Sequence, residues 1–361
     1  MTVLLIAALL MLLWVLAPPS RHAPGPQVSG TGRRHRAGPL EVARAVEQLA
    51  TVLASGSTIR QAWAAVGRSA PPGDLADLAR AGAAGADPRR PGAGRLHATA
   101  MVRSLGTALA VCERTGAPTA VMLEHLAEAL RDLHDAALAR RSAFAGPRST
   151  ARILLVLPLG GLALGALLGG DPLHLLLSTP GGHLLGAVGL ALTVAGWWWM
   201  HRMLRAADPP APVGLDGSVL LELVAGTLEA GLPLASAAQA VAQALPTSAD
   251  REALERFASG LHSGLGAERA ARALPTQLAA LGRSAVLAEG TGADLSRVLR
   301  SAARDGRRGR ARDAEVRAAQ LAVRLVLPTG LTLLPAFVAL GIIPTVISLL
   351  GGTLSPGAAV P

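Results

Sequence analysis

Three stretches of this 361-residue sequence carry almost no charge. Residues 1–20, 153–200 and 325–361 hold a single charged side chain, Asp171, although the chain has 34 basic and 24 acidic residues. A bilayer core is crossed by about 20 apolar residues in a helix. Runs of this length and purity therefore predict membrane spans rather than elements of a soluble core. Outside them the charge density is that of an ordinary soluble chain. The 51% hydrophobic content and the net charge of +10 are averages over two solvents. They exclude a simple soluble globule, a disordered chain and a disulfide scaffold.

Four spans are expected. Thr2–Ala17 is Leu-rich, carries Trp14 near its end and stops at Pro18-Pro19. No basic segment precedes it, which favours an uncleaved anchor over a signal peptide. Ile153–Gly170 and Leu184–Met200 form a hairpin around Asp171-Pro172 and Thr179-Pro180-Gly181-Gly182. Trp197, Trp198 and Trp199 suit the interfacial belt at its end. Leu325–Leu350 is the fourth, with Pro328, Pro335 and Pro344 expected to kink it. Arginines flank one side of every span: Arg21, Arg33, Arg34 and Arg36; Arg140, Arg141, Arg148 and Arg152; Arg202 and Arg205; Arg307, Arg308, Arg310, Arg312, Arg317 and Arg324. The positive-inside rule then places both large polar regions in the cytoplasm and both termini and the hairpin loop outside. Anionic membrane lipid is the partner this implies for the edge arginines. With no aromatic stacking platform beside them, nucleic acid is not expected.

Both polar regions show helical spacing. Val42, Val46, Leu49 and Leu53 share a face, as do Val219 and Leu223 with Leu228 following; alternating strand patterns are missing. Each region reads as a bundle of five or six short helices. The expected organisation is all-α: an anchor over 1–19, a linker over 20–39, a helical domain over 40–150 and a membrane hairpin over 151–201. A second helical domain over 206–320, a span over 321–350 and an external tail over 351–361 follow.

The two regions resemble each other. Leu53–Ile59 aligns with Leu228–Leu234 at an offset of 175, setting Gly56 against Gly231. Glu113-Arg114-Thr115-Gly116-Ala117 aligns with Glu289-Gly290-Thr291-Gly292-Ala293 at 176, and Leu155–Gly160 with Leu325–Gly330 at 170. A glycine that ends one helix just before another begins suits the left-handed residue of a helix C-terminus. The Thr of Glu-x-Thr-Gly is expected to cap the following helix. A catalytic reading of Glu113 and Glu289 lacks a partner base or nucleophile; a structural role or a salt bridge to a partner protein remains for them.

No phosphate-binding loop motif occurs, and the chain has no Lys to serve one. His-Glu-x-x-His is missing, the histidines are scattered, and Cys112 is the only cysteine, which reads as a core filler. No cofactor, metal or catalytic constellation is expected, so the chain is read as a non-enzyme. Gly161, Gly165 and Gly169 make a small-residue stripe suited to packing between spans.

A helical domain with Leu-x-x-Gly at a helical hairpin, a later Glu-x-Thr-Gly, then an apolar span, all repeated, resembles the type II secretion system F domain. The hairpin elements Leu155–Gly160, Gly169–Pro172, Thr179–Gly181 and Gly196-Trp197 resemble tight-adherence (Flp/Tad) B proteins. Arg324–Leu334, Pro335–Phe337 and Gly341–Pro344 resemble the tail of tight-adherence C proteins. The chain thus looks like a B-like half joined to a C-like half, which in that family are usually separate chains. The first repeat has Pro118 where the second has Asp294. The resemblance implies an inner-membrane platform of a type II secretion, type IV pilus or Flp pilus machine. Its implied partners are a cytoplasmic secretion ATPase, pilin or pseudopilin subunits and further copies of itself. Gly56, Glu113, Gly116, Gly231, Glu289 and Gly292 are the positions expected to shape the domains or their contacts. A permease with regulatory cytoplasmic domains is the other class considered; the lack of ionisable residues inside the spans weighs against it.

Overall fold

The computed structural model describes residues 37–87, 100–168, 172–208 and 214–353. The anchor expected over 1–19, most of the linker, Gly169–Asp171 and the tail from 354 lie outside them. Among the described residues every regular element is helical and no strand occurs. The first polar region holds α1 (Pro39–Ala54), α2 (Ile59–Ser69), α3 (Asp74–Ala83), α4 (Ala100–Thr115) and α5 (Thr119–Ala143). The hairpin holds α6 (Ala145–Leu167), α7 (Pro172–Ser178) and α8 (Pro180–Ala207). The second polar region holds α9 (Gly217–Glu229), α10 (Leu234–Ala244), α11 (Ala249–His262), α12 (Ala267–Ala271), α13 (Ala279–Thr291) and α14 (Leu295–Arg324).

Helix starts follow from capping chemistry. Thr58 and Gln61 form a reciprocal capping box at α2, with Thr58 N–H donating to Gln61 Oε1 at 2.8 Å. Ser248 accepts from Arg251 N–H at α11. At α8, Thr179 accepts from Gly182 N–H at 2.9 Å and Pro180 opens the first turn.

The chain divides into two compact units. One comprises the polar regions, 37–138 and 214–312 among the described residues. Its core joins both repeats in one apolar cluster, from Val46, Leu49 and Trp63 to Leu223, Val241 and Phe257. The repeats fill the same space by opposite choices. Trp63 on α2 lies against Gly82 on α3, where a Cβ would fall 2.6 Å from the indole. At the equivalent positions, 175 residues on, the small residue is Ala238 on α10 and the large one Phe257 on α11. Large-for-small exchange across a helix pair conserves packed volume.

The other unit comprises 139–208 and 313–353 among the described residues. Three of its stretches are long and apolar enough to cross a membrane, within 119–167, 180–207 and 295–348. Their outward faces are apolar, with Ile153, Leu184, Val326 and Leu331 exposed, as lipid requires. They meet through glycines. Gly161 faces Phe337 and the backbone of Gly341, Gly165 faces Thr345, Gly189 faces Leu340, and Gly196 faces Thr332 and Leu333. Thr193, Thr332 and Thr345 each donate to the carbonyl four residues earlier, which satisfies their hydroxyls inside their own helix. Of the three prolines expected to kink the last span, Pro335 and Pro344 each follow a π-turn, Thr329–Leu333 and Val338–Ile342, and Pro328 sits in an α-helical turn. A widened turn relieves the clash and the lost donor that proline brings to a helix. The hairpin connection expected as a loop contains α7, whose Leu176 is buried. Asp208, at the end of α8, pairs with both Arg140 and Arg148.

Candidate functional site

The duplicated sequence motifs are duplicated in the backbone. Gly56 and Gly231 have φ of 87° and 88°, and Gly116 and Gly292 have 70° and 69°. Each takes the left-handed conformation that costs a glycine nothing and other residues about 1–2 kcal/mol. Thr115 and Thr291 do not cap the next helix, contrary to expectation. Each hydroxyl donates back to the carbonyl of Val111 or Leu287 at 2.7 Å and accepts from the N–H of Ala117 or Ala293 at 3.3 Å. They close their own helix. Asp294 caps the next one in the second repeat, accepting from Ser296 and Arg297 N–H, and Ser296 hydroxyl donates to it; these bonds hold its carboxyl below the usual range. Glu289 accepts from Ala267 N–H at 3.0 Å and so ties α13 to the start of α12. Glu113 is exposed, and the segment equivalent to α12 lies outside the described residues. Cys112 is buried, and burial pushes its thiol up to about 11, which leaves it inert at neutral pH.

The densest chemistry lies elsewhere, where the two repeats meet. Arg300, Arg304 and Arg307 recur on α14 at intervals of four and three, so they share one face. Glu222 and Glu229 project from α9, and Glu128 and Asp132 from α5. Arg307 Nε donates to Asp132 Oδ2 at 3.0 Å, and both its terminal nitrogens reach Glu222 Oε1 at 3.4 Å. Arg304 pairs with Glu128 at 3.1 Å. Arg300 makes a two-pronged contact with Glu229, one prong at 2.6 Å. Glu222 Oε2 and Arg300 Nε, both buried and without a hydrogen bond, lie 3.6 Å apart as an ion pair. Arg310 reaches Asp216 at 2.8 Å.

Two features set this seam apart. Arg307 and Glu222 are 2% and 5% exposed, so an ion pair is held in a medium where neither charge survives alone. Burial pushes the Glu222 carboxyl above its ordinary range, opposed first by Arg307 and then by Arg300. The seam also joins equivalent positions: 128 and 304 differ by the repeat offset of 176. The pairs 128–304 and 132–307 advance together, so α5 and α14 run in the same sense where their long side chains meet. Around the seam, Met122 of α5 sits against Gly226 of α9, and Arg114 bonds Gln243. His125 on α5 is half-buried, and burial, then Arg300, lowers its affinity for a proton.

Sequence reasoning missed this seam. It assigned Arg307 and Arg310 to the lipid edge of the last span; both are instead ion-paired within the polar unit. The signal was present in Glu222, a lone acid in the apolar run SVLLELVAGTL. Of the six positions expected to shape domains or contacts, the four glycines sit at helix ends, Glu289 makes an internal cap, and none lies in the seam.

A duplicated helical bundle whose repeats share one apolar core, with an ion-paired seam at its edge, on a chain with membrane-spanning helices, defines a membrane scaffold. The family profile of the type II secretion system (T2SS), protein F, matches residues 45–166 and again 220–343, more than half of the chain. The chain belongs to that family, and is a non-enzymatic membrane component of secretion or pilus assembly machinery. No curated protein matches it.

Proposed function

We propose that this chain is the inner-membrane platform of a Flp/Tad-type pilus or type II secretion machine, in which both polar repeats are cytoplasmic. In this reading the termini and the α6–α8 connection face the other side. A cytoplasmic secretion ATPase engages the repeats, and pilin or pseudopilin subunits pass along the spans. Anionic lipid holds the free edge arginines, among them Arg317 and Arg324, and the chain works as a homo-oligomer. The observation that supports this reading most is the seam. Arg304–Glu128 and Arg307–Asp132 tie α5 to α14, the helices that lead in sequence to the hairpin and the last span. Both repeats also share one continuous apolar core, so a displacement imposed on one is carried to the other rather than dissipated at a soft joint. Gly56, Gly116, Gly231 and Gly292 fix the helix ends, and Glu113 and Glu289 the turns beside them.

Deleting the gene and scoring filament assembly or export tests the reading. Loss restored by the intact chain, with co-purification of a secretion ATPase, is the expected result. Intact filaments and export together with altered solute uptake would overturn it in favour of a permease.

A further inference from the structure

α4 and α13 are the same helix in the two repeats, yet their surroundings differ. α4 is enclosed by α1 of its own repeat and by α9 and α10 of the other. Its Ala110 and Val111 are 2% and 0% exposed. Among the described residues nothing covers that face of α13. The equivalent residues there, Val286 and Leu287, are 39% and 51% exposed, with Arg283 and Gly290 beside them. The uncovered copy has therefore gained apolar bulk.

The other free face of the pair is treated in the opposite way. Val219, Leu223 and Gly226 of α9 are buried between the repeats; at the same positions α1 exposes Arg44, Gln48 and Thr51. Terminal repeats in stacked proteins turn polar where they face water. α1 follows that rule and α13 breaks it.

We infer that the Val286–Leu287 face of α13 is a contact surface for a second copy of this chain, presenting the same face. This deepens the homo-oligomer of the proposed function by giving it a surface. The interface inside the chain shows that this helix position accepts the helices of another such unit. The α1 face of a second copy does not fit it, because Arg44 and Gln48 would be set against Val286, Leu287 and Arg283. Two α13 faces match apolar with apolar and close on themselves, so association stops at a pair. An added Cβ at Gly290 would meet only open space, so a neighbouring helix has room to approach. Confinement of both copies to one membrane raises their effective concentration, so a small patch suffices.

The test uses the full chain in native membranes. Leu287→Cys and Val286→Cys should give a disulfide-linked dimer under mild oxidation, and Gln48→Cys should not; Cys112 is buried and can stay. Leu287→Glu, at an exposed position, should weaken the dimer in detergent by about a hundredfold or more, because a leucine is lost from each of the two copies, with the helical content of the chain unchanged. A wild-type monomer overturns both the surface and the homo-oligomer. An oligomer that persists in Leu287→Glu, or cross-links equally through residue 48, overturns the surface alone. Cross-linking of residue 287 only to a different protein also overturns it. Filament assembly is scored separately, so the platform reading is judged on its own test.

Discussion

The two repeats carry the same ion pair in opposite surroundings. Glu47 on α1 meets Arg131 on α5; Glu222 on α9 meets Arg307 on α14, 175 and 176 residues later. The first pair is 45% and 41% exposed and the second 5% and 2%. An exposed pair exchanges water for a partner at little net gain. A buried pair has lost its water altogether, and removing one member strands the other in a poor solvent. The second repeat adds Asp132 and Arg300 around its pair, drawing one group from the first repeat and one from its own α14. One duplicated contact has thus become a surface ion pair in one copy and the joint of the assembly in the other.

Five variants press on the difference between the repeats. Arg307→Met should give the largest effect, a loss of about 3–5 kcal/mol, because Glu222 is left buried and unpaired. Arg131→Met in the first repeat should cost under about 1 kcal/mol, since water screens both groups. Thermal melting of the full chain in detergent reads both, and equal losses would end the distinction. Arg307→Met with Glu222→Leu should recover most of the loss, as an apolar exchange of a buried pair is often neutral. Gly82→Ala comes next. Its Cβ lands on Trp63, at a cost of about 1–3 kcal/mol. Trp63→Ala with Gly82→Phe, the second repeat's own solution, should stay within about 1.5 kcal/mol of wild type.

Where the repeats agree, substitutions should agree too. Gly116→Ala and Gly292→Ala should each cost about 1–2 kcal/mol, because both hold the left-handed conformation. A difference between them beyond that range would mean that the two turns are not equivalent. The smallest effect is in pH. Burial raises Glu222, so the folded chain binds its proton up to a higher pH than the unfolded chain. Stability should therefore fall as pH rises from the ordinary glutamate range through the raised value. Glu222→Gln should remove that slope, and Glu47→Gln should leave it in place. Melting temperatures followed from pH 4 to 7 would show whether it disappears.

Much of the fold was legible because it rests on local chemistry. The absence of charge marks the spans, 3.6-residue periodicity marks the helices, and glycine marks the turns where φ is positive. Repetition of Leu53–Ile59 at Leu228–Leu234 revealed the duplication, since equal sequence encodes an equal hairpin. The seam was not legible in the same way. Arg307 lies in an arginine-rich stretch beside a span, where charge alone reads as membrane edge. Nothing local distinguishes it from Arg308, which is exposed, one residue away. The role of Thr115 and Thr291 was misread for a related reason: a hydroxyl at a helix junction can close one helix or open the next, and only backbone geometry selects.

By itself the sequence determined an all-helical, membrane-spanning chain with two copies of one unit, because apolar length, periodicity and repetition are properties of the chain in order. Only the tertiary structure decided which of two equivalent ion pairs is buried and which of two equivalent helices keeps an open apolar face. Burial belongs to neighbours distant in sequence, and the two copies, alike in their own residues, have different neighbours.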